Sequence, residues 1–216
     1  MQTGKTVTCG VVLRVTDTKE TDRILTVLTA DRGKIPLIAR GARRKNSRLA
    51  ASCQLPAYSE LTLYKRGSWY MLDEASPLEL FDALGRDIVL LSLASWFCEL
   101  TEAVCAEETP APEMLSLLLN ALYALCYTDK PPRIVKAAFQ FRLMALAGFE
   151  PLAEGCALCG REDVDAPMLD VLGGLVTCGG RQRPVPAPRL CLVADGVAGE
   201  QLQHCGQLQR ADGFFK

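Results

Sequence analysis

The sequence predicts an α+β protein of several domains, in which an N-terminal five-stranded OB-fold barrel precedes an α-helical bundle with a zinc-knuckle-like cysteine motif. Three observations support this prediction. Short runs rich in valine and threonine occupy the first third of the chain, as is typical of strands. Apolar residues then recur at helical spacing, and a Cys-x-x-Cys pair follows the last helical run.

Five short strands are expected within residues 1–78, at 6–15, 23–29, 34–40, 60–64 and 68–72. Polar or glycine-containing turns separate them. Pro36 lies inside the third run, and because proline has no amide hydrogen it suits an edge strand or a bulge there. Five strands in about 75 residues are typical of a small barrel, of which the five-stranded OB-fold is the simplest candidate.

The period of the apolar residues then changes, and residues 79–152 are expected to form a helical domain. The stretch 81–104 is apolar almost all round, which predicts a buried central helix. After a break that contains two prolines, apolar residues from 114 to 125 follow the i, i+3, i+4, i+7 spacing of an amphipathic helix. A third helical run is expected to end at Gly148, a residue suited to the position after a helix C-terminus.

The last part of the chain has no clear periodicity. Residues 153–182 are expected to form an incomplete zinc-knuckle-like insertion, and residues 183–216 a separate C-terminal tail. Three prolines in this tail, at positions 184, 186 and 188, oppose a helix. We therefore expect the tail to be divergent, truncated or altered in its reading frame.

Charged residues are unevenly distributed, although the chain as a whole has a net charge of −1. Residues 1–70 have a net charge of +8 and the remaining residues a net charge of −9. Such an asymmetry is a standard indication of a nucleic-acid-binding surface on one part of a protein.

A basic segment at residues 40–48 follows the third predicted strand and contains five cations. Guanidinium groups donate two hydrogen bonds to a phosphate, and each neutralised phosphate releases counterions. We therefore predict that this loop binds nucleic acid and that cations on the neighbouring strands extend its surface. The predicted nucleic-acid-binding residues are Arg14, Arg23, Lys34, Arg40, Arg43, Arg44, Lys45, Arg48, Lys65 and Arg66.

Aromatic residues lie near these cations in the second half of the predicted barrel. They are Tyr58, Tyr64, Trp69 and Tyr70. Exposed aromatic faces can stack nucleic-acid bases. For each of the four taken singly, however, packing in the barrel core is the expected role.

Ten cysteines in a chain without a recognisable signal peptide or membrane span indicate a cytosolic protein with reduced thiols. Cys156 and Cys159 have the spacing of a zinc knuckle, and Cys178 lies within the window expected for a second pair. Arg181 stands where the fourth ligand is expected. A structural Zn²⁺ held by these three cysteines and a knuckle held by hydrogen bonds alone therefore both remain open. Buried packing is expected for Cys9, Cys53, Cys98, Cys105 and Cys126.

An enzyme is the least expected class of protein. The single histidine, His204, excludes zinc enzymes that use two or three histidines. No glycine-rich phosphate loop supports ATP hydrolysis. The carboxylates Asp17, Glu20 and Asp22 share a turn, and a solvated turn explains them better than a two-metal site does.

Two stretches of the sequence resemble the RecO family of bacterial recombination mediators and DNA repair proteins. The first stretch includes Glu20-Thr21-Asp22-Arg23-Ile24 and Ala39-Arg40-Gly41-Ala42-Arg43-Arg44. The second includes Gly148-Phe149-Glu150-Pro151, followed by Cys156-Ala157-Leu158-Cys159-Gly160. The resemblance covers roughly residues 8–178, and the chain departs from the family pattern at Arg181 and in the tail.

The resemblance implies an OB-fold, a helical domain and a zinc-binding knuckle in a bacterial protein of the cytoplasm and nucleoid. It implies binding of single- and double-stranded DNA and annealing of complementary strands without ATP. It also implies contacts with RecR and with the C-terminal tail of single-stranded DNA-binding protein, through which RecA is loaded onto coated strands.

Cations of the helical domain offer a place for such a tail. An acidic or apolar peptide would dock near Arg133, Lys136 and Arg142, unless these are simply solvent-facing helix charges. Two other classes of function also remain open: a protein-interaction adaptor with weak DNA contact, and an OB-fold RNA-binding protein.

Overall fold

The computed structural model describes residues 4–149, 155–162, 164, 167–170, 174–178 and 185–186. The chain divides into two compact units, residues 1–139 and 140–216. The domain boundaries at residues 78, 152 and 182 stay predictions. The predicted divergent tail lies outside the described residues except for positions 185 and 186. No helix in the described part of the chain is long and apolar enough to cross a membrane.

Five strands form a closed barrel in the order β1-β2-β3-β5-β4. They are β1 (Thr6–Thr18), β2 (Asp22–Thr29), β3 (Gly33–Ala39), β4 (Tyr58–Arg66) and β5 (Trp69–Glu79). All neighbouring strands are antiparallel except β3 and β5, which pair in parallel and close the barrel. The five-stranded barrel predicted from the sequence is confirmed, and β1, β4 and β5 are longer than expected.

The third strand shows how the barrel accommodates a proline. Pro36 lies opposite Thr26 of β2, and β5 pairs with β3 only from Leu37 to Ala39. On the side facing β5 the strand is therefore still an edge at Pro36, where a missing amide hydrogen costs no ladder bond. Alternate residues of β3 point inward, and Ile35 and Leu37 are fully buried in the barrel core.

Within the described residues, three α-helices follow the barrel, as predicted. They are α1 (Ile88–Val104), α2 (Pro112–Tyr127) and α3 (Pro132–Leu146). Asp87 caps α1, because its Oδ1 accepts a hydrogen bond from the amide of Val89 at 2.7 Å. Pro112 lies in the first turn of α2, where a missing amide hydrogen leaves no helical bond unmade.

The prediction of one central helix buried all round over residues 81–104 is wrong. Helix α1 begins only at Ile88, and exposed residues recur along it at Ser92, Glu99 and Ala103. Residues 82–86 form a 3₁₀ helix, and Ile88 and Val89 at the start of α1 are 75% and 56% exposed. The buried side chains of α1 lie further along, where Phe97 stacks on Phe139 of α3 with ring centroids 4.2 Å apart. The first turn of α1 extends beyond this packing, so its apolar residues face solvent.

The second unit contains the end of α3 and a small three-stranded sheet. Gly148 follows α3 with a φ of +86°, and the amide of Phe149 donates to the carbonyl of Met144 at 2.9 Å, so the predicted helix end is confirmed. The sheet has the order β7-β6-β8. Its strands are β6 (Met168–Asp170), β7 (Leu175–Thr177) and β8 (Val185–Pro186).

Candidate nucleic-acid interface and metal centre

The basic loop at residues 40–48 is a succession of hydrogen-bonded turns. The amide of Arg44 donates to the carbonyl of Gly41 at 3.1 Å, and the amide of Ser47 donates to the carbonyl of Arg44 at 3.0 Å. Hydrogen bonds between an amide and the carbonyl three residues earlier continue along the chain into the short 3₁₀ helix Ala51–Cys53. The loop therefore presents its cations from an ordered backbone, so less conformational entropy is lost when a ligand binds.

Two hydrogen bonds join this loop to the β1–β2 turn. The Oδ1 of Asp22 accepts a bond from the amide of Gly41 at 2.8 Å, and the carbonyl of Thr21 accepts one from the amide of Arg43 at 3.0 Å. The bond from Gly41 stabilises the ionised carboxylate and so lowers the pKa of Asp22. Gly41 has a φ of +66°, a left-handed conformation that glycine adopts without strain.

The five cations of the loop differ in their partners. Arg40, Arg44, Lys45 and Arg48 are exposed and make no ion pair with any residue that the structure describes. The Nε of Arg43, in contrast, lies 3.4 Å from Oδ2 of Asp17. Four of the five predicted loop cations are therefore available to an anionic ligand.

Arg23 is partly buried and is bound by two other residues of the protein. Its Nε donates to Oδ1 of Asp17 at 3.0 Å, and its Nη1 donates to the carbonyl of Cys53 at 3.0 Å. Asp17 thus bridges Arg23 and Arg43, which ties β2 to the basic loop.

Arg14 and Lys34 both contact Glu102 of α1. The Nε of Arg14 lies 2.9 Å from Oε2 of Glu102, and the Nζ of Lys34 donates to the Glu102 carbonyl at 2.8 Å. These two predicted DNA-binding residues therefore connect the barrel to α1, and their contact with DNA stays a prediction.

A second group of cations surrounds the β4–β5 turn. Lys65 lies 5.2 Å from the centre of the Tyr70 ring, and the guanidinium of Arg32 lies 5.7 Å from it. Arg66 is exposed beside them. Trp69 is 42% exposed, so its predicted core position is wrong. It is the first residue of β5 and pairs with Arg66 at the tip of the hairpin, beyond the packed interior.

The other three aromatic residues, Tyr58, Tyr64 and Tyr70, are partly buried, and Tyr70 packs against the barrel core.

Sequence reasoning missed Lys19 and Arg32 as candidate binding residues. Lys19 lies in the β1–β2 turn with a φ of +50°, and Arg32 lies in the β2–β3 turn. In OB-folds the β1–β2 and β4–β5 loops border the binding face of strands 2 and 3. That rule points to Lys19 once the strands are assigned. No local sequence signal points to Arg32, because its partner Tyr70 lies 38 positions away in the chain.

The three predicted metal ligands come together in the second unit. The Sγ atoms of Cys156, Cys159 and Cys178 lie within 4.8 Å of one another, with 3.7 Å between those of Cys159 and Cys178. The amide of Cys178 donates to Sγ of Cys156 at 3.3 Å. Three sulfur donors suit Zn²⁺, which binds four ligands in structural sites. Among the described residues the cluster supplies three of the four, and position 181 lies outside them.

The protonation of the cluster is uneven. Hydrogen bonds from the backbone amides of Cys159 and Leu158 are the main cause that lowers the pKa of Cys156 to about 6. The neighbouring sulfur atoms raise the pKa of Cys178. One thiol is therefore already ionised at neutral pH and is ready to bind a metal ion.

Five cysteines of the described residues lie outside the cluster. Cys53, Cys98 and Cys105 are buried, as predicted, whereas Cys9 and Cys126 are only half-buried. Burial raises the pKa of Cys98 to about 12, so this thiol stays protonated.

The predicted peptide-binding cations all lie on α3 and are exposed. The Nζ of Lys136 lies 5.0 Å from the centre of the Trp96 ring. Together with the exposed start of α1, these two side chains border an open groove of about 390 Å³. Arg133 is on the same part of α3, and Arg142 is further along it, within the second unit.

Comparison with known proteins assigns both halves of the chain to one family. The family model "Recombination protein O N terminal" matches residues 1–81, and the model "Recombination protein O C terminal" matches residues 85–199. The second match extends beyond residue 178, the end of the resemblance seen in the sequence.

Similar proteins carry the name "DNA repair protein RecO". That of Acetivibrio thermocellus is 35% identical over 159 residues, covering 74% of this chain and 63% of the relative. That of Symbiobacterium thermophilum is 33% identical over 77% of this chain and 68% of the relative. That of Desulforudis audaxviator is 38% identical over 82% of this chain and 71% of the relative. The chain thus spans about two thirds of the length of these relatives.

Proposed function

The chain belongs to the recombination protein O (RecO) family, and on that premise we propose that it acts in DNA repair as a DNA-binding recombination mediator rather than as an enzyme. It binds single- and double-stranded DNA through its barrel and anneals complementary strands without ATP. One observation carries this proposal: four exposed cations without an ion-pair partner in the described residues project from one ordered loop of an OB-like barrel.

Charge neutralisation is the physical basis of the proposed annealing. Two DNA strands repel each other, and cations that neutralise their phosphates lower the barrier to pairing. Arg44 and Arg48 meet this requirement because neither is engaged by a described carboxylate. Trp69, exposed beside Lys65 and Arg66, adds a face on which one base can stack.

The wider role follows from the family. We place the protein in the bacterial cytoplasm at the nucleoid, where it acts with RecR to load RecA onto DNA coated with single-stranded DNA-binding protein. A structural Zn²⁺ bound by Cys156, Cys159 and Cys178 stabilises the knuckle in this proposal, since the three sulfur atoms already lie together.

The proposal is tested by the salt dependence of DNA binding. Affinity for a fluorescein-labelled single strand is expected to fall about a thousandfold between about 50 and 200 mM salt if some six phosphates are contacted. Replacing Arg44, Lys45 and Arg48 together by alanine flattens this slope and slows annealing. Arg86→Ala is the matched control, because Arg86 is an exposed cation after the barrel. An unchanged slope in the triple variant excludes this loop as the binding surface.

The RNA-binding alternative is separated by the same assay. An RNA strand of identical sequence replaces the DNA, and we expect weaker binding of RNA than of DNA. Equal or tighter binding of RNA favours the alternative function.

A peptide-binding groove is a second candidate function, supported by the exposed start of α1. Ile88, Val89 and Trp96 form its apolar wall, and Lys136 lies at its rim. An acidic peptide with an apolar end, such as the tail of single-stranded DNA-binding protein, fits this chemistry.

The groove is tested by titrating such a tail peptide against three charge reversals. Lys136→Glu is expected to weaken binding more than Arg86→Glu does, and Arg142→Glu tests the predicted contribution of the end of α3. Equal affinities in all three variants contradict the groove.

A further inference from the structure

We propose that the hollow between the β1–β2 turn and the basic loop binds one phosphodiester group of a DNA strand, and that Asp22 is the positioning residue that keeps this pocket in shape. The inference rests on the proposed DNA binding and deepens it, because it identifies the point that fixes a strand on the barrel.

The hollow has room for a phosphodiester group and a lining that suits one. Its volume is about 430 Å³, and it is bordered by Lys19, Thr21, Asp22, Arg40, Gly41 and Arg44. Three of these side chains are cations and one is an anion. The surplus of positive charge exceeds the single negative charge of a phosphodiester, so the pocket favours that ligand.

The three cations come from two different segments. Lys19 lies in the β1–β2 turn, whereas Arg40 and Arg44 lie on the basic loop. None of the three makes an ion pair with a residue that the structure describes. Arg43, although it is in the same loop, faces Asp17 and does not line the hollow.

Asp22 holds the two segments together through an uncharged partner. Its Oδ1 accepts the amide hydrogen of Gly41 at 2.8 Å and the hydroxyl hydrogen of Thr21 at 3.3 Å. Gly41 then turns the chain with a φ of +66°, and the amide of Arg44 bonds back to its carbonyl. Without the carboxylate oxygen, the amide of Gly41 loses its partner, and only the bond from the Arg43 amide to the Thr21 carbonyl is left of the two that join the segments. The spacing of Arg40 and Arg44 from Lys19 is then less firmly fixed.

The lining of the pocket favours a phosphate over a base. Its side chains include no aromatic ring on which a base can stack, and its donors are guanidinium and ammonium groups. The exposed aromatic face of the barrel, Trp69, lies at the β4–β5 turn instead. Contacts with the phosphates of the DNA are therefore assigned to the β1–β2 turn and the basic loop, and contacts with its bases to the β4–β5 turn.

The negative charge of Asp22 and its positioning role predict opposite effects on DNA affinity when the residue is replaced, and this difference provides the test. Removing an anion from a DNA-binding surface strengthens binding if only charge matters. We expect Asp22→Ala to weaken binding of a fluorescein-labelled single strand about threefold or more, because the loop is released. Asp22→Asn keeps an oxygen acceptor for the Gly41 amide and is expected to bind as tightly as the unaltered chain or more tightly. Binding by Asp22→Ala that is equal or tighter overturns the positioning role.

The pocket itself is tested by Lys19→Ala with Arg86→Ala as the matched control. Loss of one phosphate contact is expected to reduce the slope of log affinity against log salt by about one and affinity at 0.1 M salt by roughly tenfold. The control leaves both unchanged. If thermal melting shows that Asp22→Ala is unfolded, the comparison of Lys19→Ala with Arg86→Ala still decides whether the pocket binds a phosphate.

The outcomes separate the two proposals. If the unaltered chain does not bind DNA, the proposed function fails and this inference fails with it. If the unaltered chain binds but Lys19→Ala behaves like Arg86→Ala, the phosphate pocket alone is refuted. Equal weakening of binding to strands of different base sequence supports a backbone contact, since phosphates carry no base information.

Discussion

Gly33 and Thr109 lie in direct backbone contact, so that a methyl group on Gly33 would overlap the carbonyl oxygen of Thr109. Around this contact, the segment between α1 and α2 bonds to the β2–β3 hairpin. The amide of Glu108 donates to the carbonyl of Lys34 at 3.1 Å, and the amide of Ala111 donates to the carbonyl of Ala30 at 3.2 Å. The first two helices are thus attached to the barrel through its backbone.

Gly33→Ala is expected to lower the free energy of unfolding by about 2 kcal/mol or more, because a left-handed φ and a steric overlap act together. Gly67→Ala is the matched control: Gly67 has a φ of +65°, against +63° for Gly33, but its added methyl group meets no atom. We expect that control to cost only about 1 kcal/mol. Urea unfolding measures both, and equal losses contradict the contact.

Lys34→Met is expected to destabilise the chain by about 1–2 kcal/mol, because it removes a charged hydrogen bond to the carbonyl of Glu102. Arg14→Ala removes an ion pair in which Arg14 is largely exposed, so its cost in the free energy of unfolding is expected to stay below about 1 kcal/mol.

Arg48→Ala, in contrast, is expected to leave the free energy of unfolding unchanged and to weaken DNA binding. The same urea series, combined with fluorescence anisotropy of a labelled strand, measures both effects. A Lys34→Met variant of undiminished stability is inconsistent with the contact.

The barrel was predictable because alternating burial leaves a period of two in the sequence. Ile35 and Leu37 point inward with a polar or outward residue on either side, and this pattern does not depend on what the barrel contacts. The partners of Arg14 and Lys34 were not predictable, because Glu102 is far away in the chain. Local patterns also placed the start of α1 too early, since burial of a helix end depends on what packs beside it.

The candidate site was predictable in its charge but not in its shape. Five cations within nine residues identify the basic loop from the sequence alone, whatever fold is assumed. The bond between Asp22 and Gly41 depends on the pairing of β2 with β3, which brings the two ends of those strands together. For the same reason the sequence alone indicates only a solvated turn at Asp22, although its carboxylate accepts the amide hydrogen of Gly41 and so holds the loop.

Cys178→Ser is expected to lower the zinc content of the purified chain from about one equivalent to well below half, because it removes one of three clustered sulfur ligands. Cys126→Ser is the matched control, since Cys126 is a half-buried thiol in α2 outside the cluster. Atomic absorption measures the metal. Zinc that is absent from the unaltered chain while annealing is intact shows that the knuckle needs no metal ion.

Zinc affinity is expected to fall as the pH decreases, in two stages. The pKa of Cys178 is raised, so near neutral pH this thiol must release its proton to bind zinc. The pKa of Cys156 is lowered to about 6, so protons compete for this sulfur only below that pH. The affinity is therefore expected to fall more steeply below pH 6 than above it. Competition with a chromophoric chelator at several pH values measures this, and a constant slope contradicts the ionised state of Cys156.

Trp69 and Trp96 are the two tryptophans of the chain, and they lie in different surroundings. Trp69 is exposed at the β4–β5 turn, whereas Trp96 lies on α1 beside Lys136. Trp96→Phe leaves Trp69 as the single tryptophan, and we expect single-stranded DNA to quench its fluorescence because a base stacks on the ring. Trp69→Phe leaves Trp96, whose emission is expected to stay constant. Trp69→Ala is further expected to weaken binding by about 1–3 kcal/mol. If DNA quenches the fluorescence of Trp96 but not that of Trp69, the DNA-binding surface lies on the helices and not on the barrel.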